Sequence, residues 1–444
     1  MKSKKHISIL LPAPMLILTL LLPSPALSFG KNKVQYQPMA WERLSSQHYT
    51  LYCHQDQGAL PDASYLWLDG IYRDLSGRFE FRHSAPVPVV VYESPALFEQ
   101  TNIVTELLPE EVGGFTEMFK NRVAVPFNGS FSDLRHVLHH EMVHAFVFGV
   151  VFDGNLFRAA GAQIPLWFNE GLAEVLSSGW DRGADMFMLD RLLNSTVPPP
   201  GPMLDGYLAY KGGQSFLYYL LSTGGDSLFN RMLIEFKLSR AAEASIERIY
   251  KKKLDELGKE WVSELRRIYW PEIGRRAAPA DQGKSVTAKG YGRMNMRPRA
   301  SPDGAKIAFF SDRHDYARII IADTAGKELR VIGQHSPGAS FESFRPMTGA
   351  LCWSPDGKEL AFVAKKGGRD EIRVVNAGNG KTARAIRLPL TAINGLDWSK
   401  DGGKLAFTGI SYGQTDLYLY DMATQELITL VDTYESKASP RFSP

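Results

Sequence analysis

Two histidines and a glutamate stand together in the run HHEMVHAF, at His140, Glu141 and His144. The histidines are four residues apart. On a helix that spacing puts both imidazoles on one face, one turn apart, where two ring nitrogens can reach one ion at about 2.0–2.1 Å. Glu141 lies beside them, angled toward the same cleft. It does not easily share the ion, but it can reach a water polarised there and accept its proton as the water attacks a carbonyl. Met142, Val143, Ala145 and Phe146 carry no charge, as a buried catalytic helix requires. A helix with two ordinary surface histidines gives no reason for such apolar flanks.

A catalytic zinc takes three protein ligands and leaves one position open. One layout places a further histidine six residues after His144 with a glycine at the third; positions 147 and 150 are both valine, so that layout is absent. Downstream, PLWFNEGLAEV offers Glu170 and Glu174, again four apart on one helix face. Gly171 removes a side chain where another helix or a metal must approach closely. Glu170 is the expected third ligand. Glu174, one turn on, is expected to accept the other ring N–H of a ligand histidine and fix its tautomer. A solvated acidic helix is the alternative, and Trp167, Phe168, Leu172 and Ala173 speak against it.

The elements that must hold these residues are legible from periodicity. HYTLYC (48–53) and VPVVVY (87–92) read as strands, with helical spacing between them from about Pro61 to Leu75. FTEMF and RVAVPF, split by Lys120-Asn121, read as a hairpin. Ser132 or Asp133 is the expected cap of the helix carrying HHEMVH. WFNEGLAEVLSS and DMFMLDRLL follow as helices, Pro198, Pro199 and Pro200 break the pattern, and GGQSFLYYLLS resumes it.

The first 28 residues read as a secretory signal peptide. Lys2, Lys4 and Lys5 precede an apolar stretch from Ile7 to Leu22, and Ala26 and Ser28 fit a cut after Ser28. An uncleaved anchor is the alternative; prolines within the stretch disfavour it. No later segment reaches the roughly 18–20 apolar residues of a spanning helix, so no membrane span is expected after cleavage. The 444 residues hold two cysteines, Cys53 and Cys352, both in strand-like runs of different domains. They are expected as unpaired buried thiols. The net charge of +3 excludes no partner by itself. Lys251, Lys252 and Lys253 sit among glutamates, so a solvated helix face is expected there and no nucleic-acid partner.

Residues 271–296 lose hydrophobic periodicity and read as a linker. Beyond them SPDGAKIAFFS at Ser301, SPDGKELAFVA at Ser354 and SKDGGKLAFTG at Ser399 repeat at offsets of 53 and 45 residues, and a further Ser-Pro follows 44 residues on. A second strand follows each (ARIIIAD, DEIRVVN, TDLYLYD). One four-stranded blade per repeat is the pattern of a β-propeller. Three blades cannot close a ring of about 4–8, so a truncated chain is expected rather than a ring completed by other chains.

The repeats resemble those of the TolB family, whose blades carry the same Ser-Pro-Asp-Gly turn. The paired motifs, His-Glu-x-x-His and then Trp-x-Asn-Glu-Gly-x-Ala, resemble the gluzincin superfamily, which includes the zinc aminopeptidases. The stretch from about 40 to 270 is similar to the bacterial peptidase MA-like family, also found joined to TolB-like propellers. This resemblance implies Zn2+ on His140, His144 and Glu170, with Glu141 as general base. In the aminopeptidases a Tyr before Glu-Lys-Gly and an apolar helix supplies a hydroxyl to the oxyanion. Tyr210-Lys211-Gly212-Gly213 stands in that register, which makes Tyr210 the candidate. The 26-residue interval from His144 to Glu170 is longer than the aminopeptidases', through the loop VVFDGNLFRAAGAQIP. GGFTEMF only loosely resembles their Gly-x-Met-Glu-Asn strand, so exopeptidase action is not expected.

The expectation is therefore an α+β zincin-like peptidase domain at 29–270, the linker, and an incomplete all-β propeller of about three blades at 297–444. The chain reads as an exported zinc metallopeptidase, periplasmic or secreted, acting on a peptide or protein substrate. The propeller would recruit or restrict that substrate, or a protein partner, and be separable from catalysis. Two alternatives remain: an exported propeller-based binding or scaffold protein with a vestigial zinc domain, and a zinc hydrolase of a non-peptide bond.

Overall fold

The computed structural model describes residues 33–443 except 34, 37, 106, 109, 111, 119, 153–161, 163, 195–196, 202–205, 276, 278, 288–290, 293, 314–316, 334–340 and 348. The expected signal peptide and most of the long loop before Pro165 lie outside the described residues.

The N-terminal region is built on a mixed sheet of order β1-β2-β3-β5-β4. Its strands are β1 (Trp41–Ser45), β2 (Tyr49–His54), β3 (Val87–Tyr92), β4 (Phe115–Thr116) and β5 (Val123–Pro126). β2, β3 and β5 run parallel, and the outer strands β1 and β4 antiparallel. VPVVVY is a near-continuous apolar run because β3 is central and covered on both faces. The helix α1 (Leu60–Phe79) connects β2 to β3 across one face. The short helix α2 (Pro95–Phe98) follows β3, capped by Ser94.

The helix α3 (Phe131–Phe152) carries HHEMVH. Its cap is Ser130, whose hydroxyl accepts from the Asp133 amide at 3.2 Å, and not Ser132 or Asp133. Those two are otherwise engaged, Ser132 with the Ser130 hydroxyl and Asp133 with Asn128. Next come α4 (Leu166–Ser178), α5 (Arg182–Asn194) and α6 (Gly206–Ser239), the last broken at Gly225, which has φ 70°. α4 and α6 cross at a glycine pair: a Cβ on Gly171 would overlap the Gly213 backbone, and one on Gly213 the carbonyl of Trp167. The close approach expected at Gly171 is thus a helix. Phe146, Trp167, Phe168, Phe216 and Phe236 fill the core that α3, α4 and α6 share. This apolar packing fixes the relative height of the two metal-motif helices.

From Asn295 on, the chain forms three antiparallel sheets, at 295–332, 343–386 and 392–431. Two have four strands and the middle one adds a fifth, paired alongside. In each, one of the expected turns joins an early strand to the next, and there Ser301, Ser354 and Ser399 bond Asp303, Asp356 and Asp401 at 2.5–2.7 Å. The sheets match partial propeller blades. Cys53 and Cys352 are buried thiols with no disulfide. Among the described residues no helix is long and apolar enough to cross a membrane.

The two regions share a core, since Ala392 and Ile410 of the third sheet pack into the N-terminal cluster. Polar contacts reinforce the junction. Thr415 Oγ1 donates to the Gly129 carbonyl at 2.8 Å, and Glu99 of the N-terminal region pairs with Arg345 and, at 2.6 Å, with Lys365.

Candidate metal centre and cleft

α3 presents His140 and His144 one turn apart, as the i, i+4 spacing dictates, and α4 brings Glu170 to face them. The two Nε2 atoms are 3.2 Å apart. Glu170 Oε2 lies 3.4 Å from the first and 3.3 Å from the second. Three donor atoms on one tetrahedral ion, each at about 2.0–2.1 Å, are separated by about 3.3–3.4 Å. The observed triangle has those edges. All three residues are buried, and polar atoms drawn together away from water are stabilised only through shared protons or a cation held between them. His140, Glu141 and His144 also have ligand atoms within 4.8 Å of one another. Buried His and Glu groups here can hold a metal ion.

The electrostatics agree with that arrangement. Burial works against charge on both His144 and Glu170. Even so, the Glu170 carboxylate and nearby Glu141 hold the His144 imidazole above its ordinary range. The two imidazoles hold the Glu170 carboxyl well below its own. Asn169 Nδ2 donates to the other oxygen, Glu170 Oε1, at 3.3 Å.

Glu141 turns toward the edge strand β4. Thr116 Oγ1 lies 2.8 Å from both the Glu141 carbonyl and its Oε2. Thr116 thus engages Oε2, and Oε1 is the other carboxylate oxygen. It faces the space left by Gly114, where a Cβ would stand 3.1 Å from it.

Glu174 stands one turn along α4. Its Oε1 is 3.9 Å from His140 Nδ1, longer than a hydrogen bond. Its Oε2 accepts from Lys211 Nζ at 2.9 Å. Lys211 also donates to Gln214 Oε1 at 3.1 Å, and Gln214 Nε2 reaches Asp181 Oδ2 at 3.0 Å. His136, Glu174 and His140 form a second group with ligand atoms within 4.8 Å of one another, but there the lysine already supplies a positive charge.

Tyr210 lies inside α6 and not before it, in the helix's second turn. Its ring stacks parallel to the His140 imidazole at 6.5 Å. Burial, then Glu170 and Glu141, push its hydroxyl up to about 12, so it remains a neutral donor at ordinary pH. All six residues singled out in the sequence line one cleft of about 660 Å³ or its walls: His140, Glu141, His144, Glu170, Glu174 and Tyr210. Sequence reasoning missed Thr116 and Met347, which also line it, and Lys211, which bonds Glu174 from outside that lining. Lys211 had a signal, its place beside Tyr210 and before two glycines. Met347 had none, since it comes from the propeller region.

Residues 277–444 match the family of the TolB beta propeller domain. The chain is 32% identical over 148 residues to the uncharacterized peptidase YuxL of Bacillus subtilis (strain 168), covering 33% of this chain and 20% of that protein. It is 28% identical over 143 residues to a TolB homolog of Chlorobium chlorochromatii (strain CaD3), covering 32% and 29%. The chain thus spans less than a third of either relative. Among solved structures, a putative TolB from Agrobacterium tumefaciens is 19% identical, covering 32% of this chain and 49% of that one, with TM-score 0.28. TolB from Acinetobacter baumannii is 21% identical, covering 33% and 45%, with TM-score 0.22. The repeats, the three sheets and the family match agree that residues 277–444 are a TolB-like propeller region, joined to an α/β region that carries a buried His/Glu cluster.

Proposed function

We propose that the chain is an exported zinc-dependent metallopeptidase of the gluzincin type, similar to the peptidase MA-like family. On this reading residues 1–28 are a signal peptide, 29–270 the peptidase domain, 271–296 a linker and 297–444 the propeller. One observation carries it: the Nε2, Nε2 and Oε2 atoms of His140, His144 and Glu170 form a triangle with the edges of a tetrahedral metal site.

His140, His144 and Glu170 would hold the ion. When bound, zinc supplies Lewis acidity toward the scissile carbonyl and toward water. Glu141 takes the proton of the attacking water on Oε1 and returns it to the departing amine. Thr116 keeps the other oxygen aimed away from the reaction. Tyr210, neutral and facing the same cleft, donates its hydroxyl to the carbonyl oxygen as negative charge builds there. Glu174 and Lys211 brace the far side of His140.

A peptide is the favoured substrate over other hydrolysable bonds because β4 is an edge strand along the cleft. The outward edge of such a strand suits an extended chain laid beside it. The name of the Bacillus relative agrees with peptide hydrolysis, but the aligned fifth of that protein carries little weight. The test is zinc content of the purified chain together with cleavage of a peptide library, with and without a chelator. Zinc near one per chain and chelator-sensitive cleavage are expected. Zinc bound without any cleavage would favour the binding-protein alternative.

A further inference from the structure

The side chain of Met347 lines the cleft, yet it belongs to the propeller region. Met347 and the residues two before and two after it are each tethered. Two residues earlier, Arg345 is only 3% exposed. Its guanidinium pairs with Glu99 of the N-terminal region and, at 3.1 Å, with Asp370. Lys365 holds Glu99 from the other side. Asp370 Oδ2 in turn accepts from the Ile393 amide at 3.0 Å. The Met347 amide donates to Glu110 Oε1 of the N-terminal region at 3.1 Å, and Arg297 donates to the Met347 carbonyl. Two residues later Gly349 closes the turn: its amide donates to the Arg345 carbonyl at 2.6 Å, and a Cβ there would overlap that carbonyl. An exposed loop tip is ordinarily mobile. Here buried ion pairs reach across the junction and fix the backbone, leaving one large side chain, 38% exposed, turned to the cleft.

The lining near β4 is apolar too, with Val112, Phe115 and Val137 in the same cleft. Methionine is unbranched and polarisable, and adapts to aliphatic and aromatic neighbours alike. We propose that Met347 is a fixed wall of the cleft. Met347, in the same lining as Val112 and Phe115, forms with them a subsite that selects extended peptides carrying a large apolar side chain. The propeller region then sets specificity directly, at the site itself. This rests on the metallopeptidase reading and names its substrate class.

The experiment uses the full chain in two arms. In the first, the parent, Met347→Ala and Met347→Lys cleave a peptide library, and cleavage sites are read by mass spectrometry. The parent is expected to favour a large apolar residue at one subsite. Met347→Ala should lower that preference about tenfold, through KM more than kcat, while peptides without such a residue are cleaved as before. Met347→Lys should redirect the same subsite toward Asp and Glu. In the second arm the same substitutions are placed on Glu141→Gln, and binding of the library is measured without turnover. Zinc content and melting temperature, unchanged in all variants, exclude misfolding. Cleavage by the parent with a profile and binding indifferent to both substitutions overturns the wall and leaves the metallopeptidase reading intact. Absence of cleavage with Met347-dependent binding does the reverse. Failure of the Glu141→Gln chain to bind any peptide overturns the wall as well.

Discussion

Glu170 in the cleft and Glu99 at the junction are both largely buried carboxylates, and each faces two nitrogen-bearing side chains. At Glu99 the partners are Arg345 and Lys365, and the ammonium sits 2.6 Å from its oxygen. That is the length of a direct charge-assisted hydrogen bond. At Glu170 the partners are two imidazole nitrogens at 3.3 and 3.4 Å, and those nitrogens are themselves 3.2 Å apart. Such spacing is too long for a strong ion pair and fits three ligands around a common centre. The protein supplies its own cations at the junction, whereas on the proposed reading the cleft receives one. Glu174 is intermediate: beside a ligand histidine, yet already bonded to Lys211.

The sharpest way to break this contrast is to count metal. The purified chain should hold about one zinc, measured by elemental analysis, and His140→Ala or His144→Ala should lose it. Full occupancy in either variant means the triangle is not the site. Two zinc ions per chain would mean that the Glu174 cluster behaves like Glu170 despite its lysine. Glu141→Gln keeps the triangle and should keep the zinc. The amide cannot take a proton from water, so hydrolysis should fall by about 10²–10⁴-fold.

The junction side of the contrast is tested by Glu99→Gln. Burial tends to raise the Glu99 carboxyl, but Arg345 and Lys365 outweigh it and hold it below its ordinary range. A depressed folded value means that the contribution to stability is complete above the unfolded value of about 4.5 and lost as pH falls through the folded one. Removing one partner of a buried pair costs about 3–5 kcal/mol. Glu99→Gln should therefore melt lower at neutral pH and approach the parent as the solution is acidified. Zinc content at neutral pH should not change. Parallel melting curves at every pH would mean the junction pair contributes nothing.

Tyr210→Phe probes the cleft without replacing a ligand, although it also removes the hydroxyl's hydrogen bond to Glu170. Loss of one oxyanion donor typically lowers turnover about 10²–10³-fold, and the effect should fall on kcat with zinc content intact. Turnover within about threefold of the parent removes the hydroxyl from the mechanism.

The cleft was legible from sequence where a role depends on spacing along one helix. His140 with His144, and Glu170 with Glu174, needed only the helical period. Gly171 announced a close approach, though not that Gly213 makes it. The propeller was legible because its turn repeats. Thr116 could not be read from sequence, because β4 is two residues long and its pairing to Glu141 is set by where the sheet edge meets α3. Met347 was less legible still: it reaches the cleft through ion pairs between distant segments, and no local pattern records Glu99 facing Arg345. The linker composition suggested a propeller apart from catalysis, while a turn of the propeller region lines the cleft.

Lys211 is the intermediate case, and its loss is the smallest effect expected. The lysine bonds Glu174 at 2.9 Å and Gln214 at 3.1 Å. Burial opposes its charge, but Glu174 and then Asp181 hold its ammonium above the ordinary range, so it is a permanent cation at neutral pH. Lys211→Met keeps the length and the apolar stem while removing that cation. Glu174 is then left beside His140 with no counter-charge, and the orientation of the ligand ring is no longer braced. Losses of such supporting contacts cost about 10–100-fold in metal affinity or activity, well short of removing a ligand. Lys211→Arg should recover part of the loss, because the charge returns with a different geometry. Zinc affinity by competition with a chelator separates the cases without relying on activity. If Lys211→Met binds zinc as tightly as the parent, Glu174 and Lys211 form a structural ion pair with no bearing on the centre. If it binds a second zinc, the lysine was all that distinguished the Glu174 cluster from the Glu170 one.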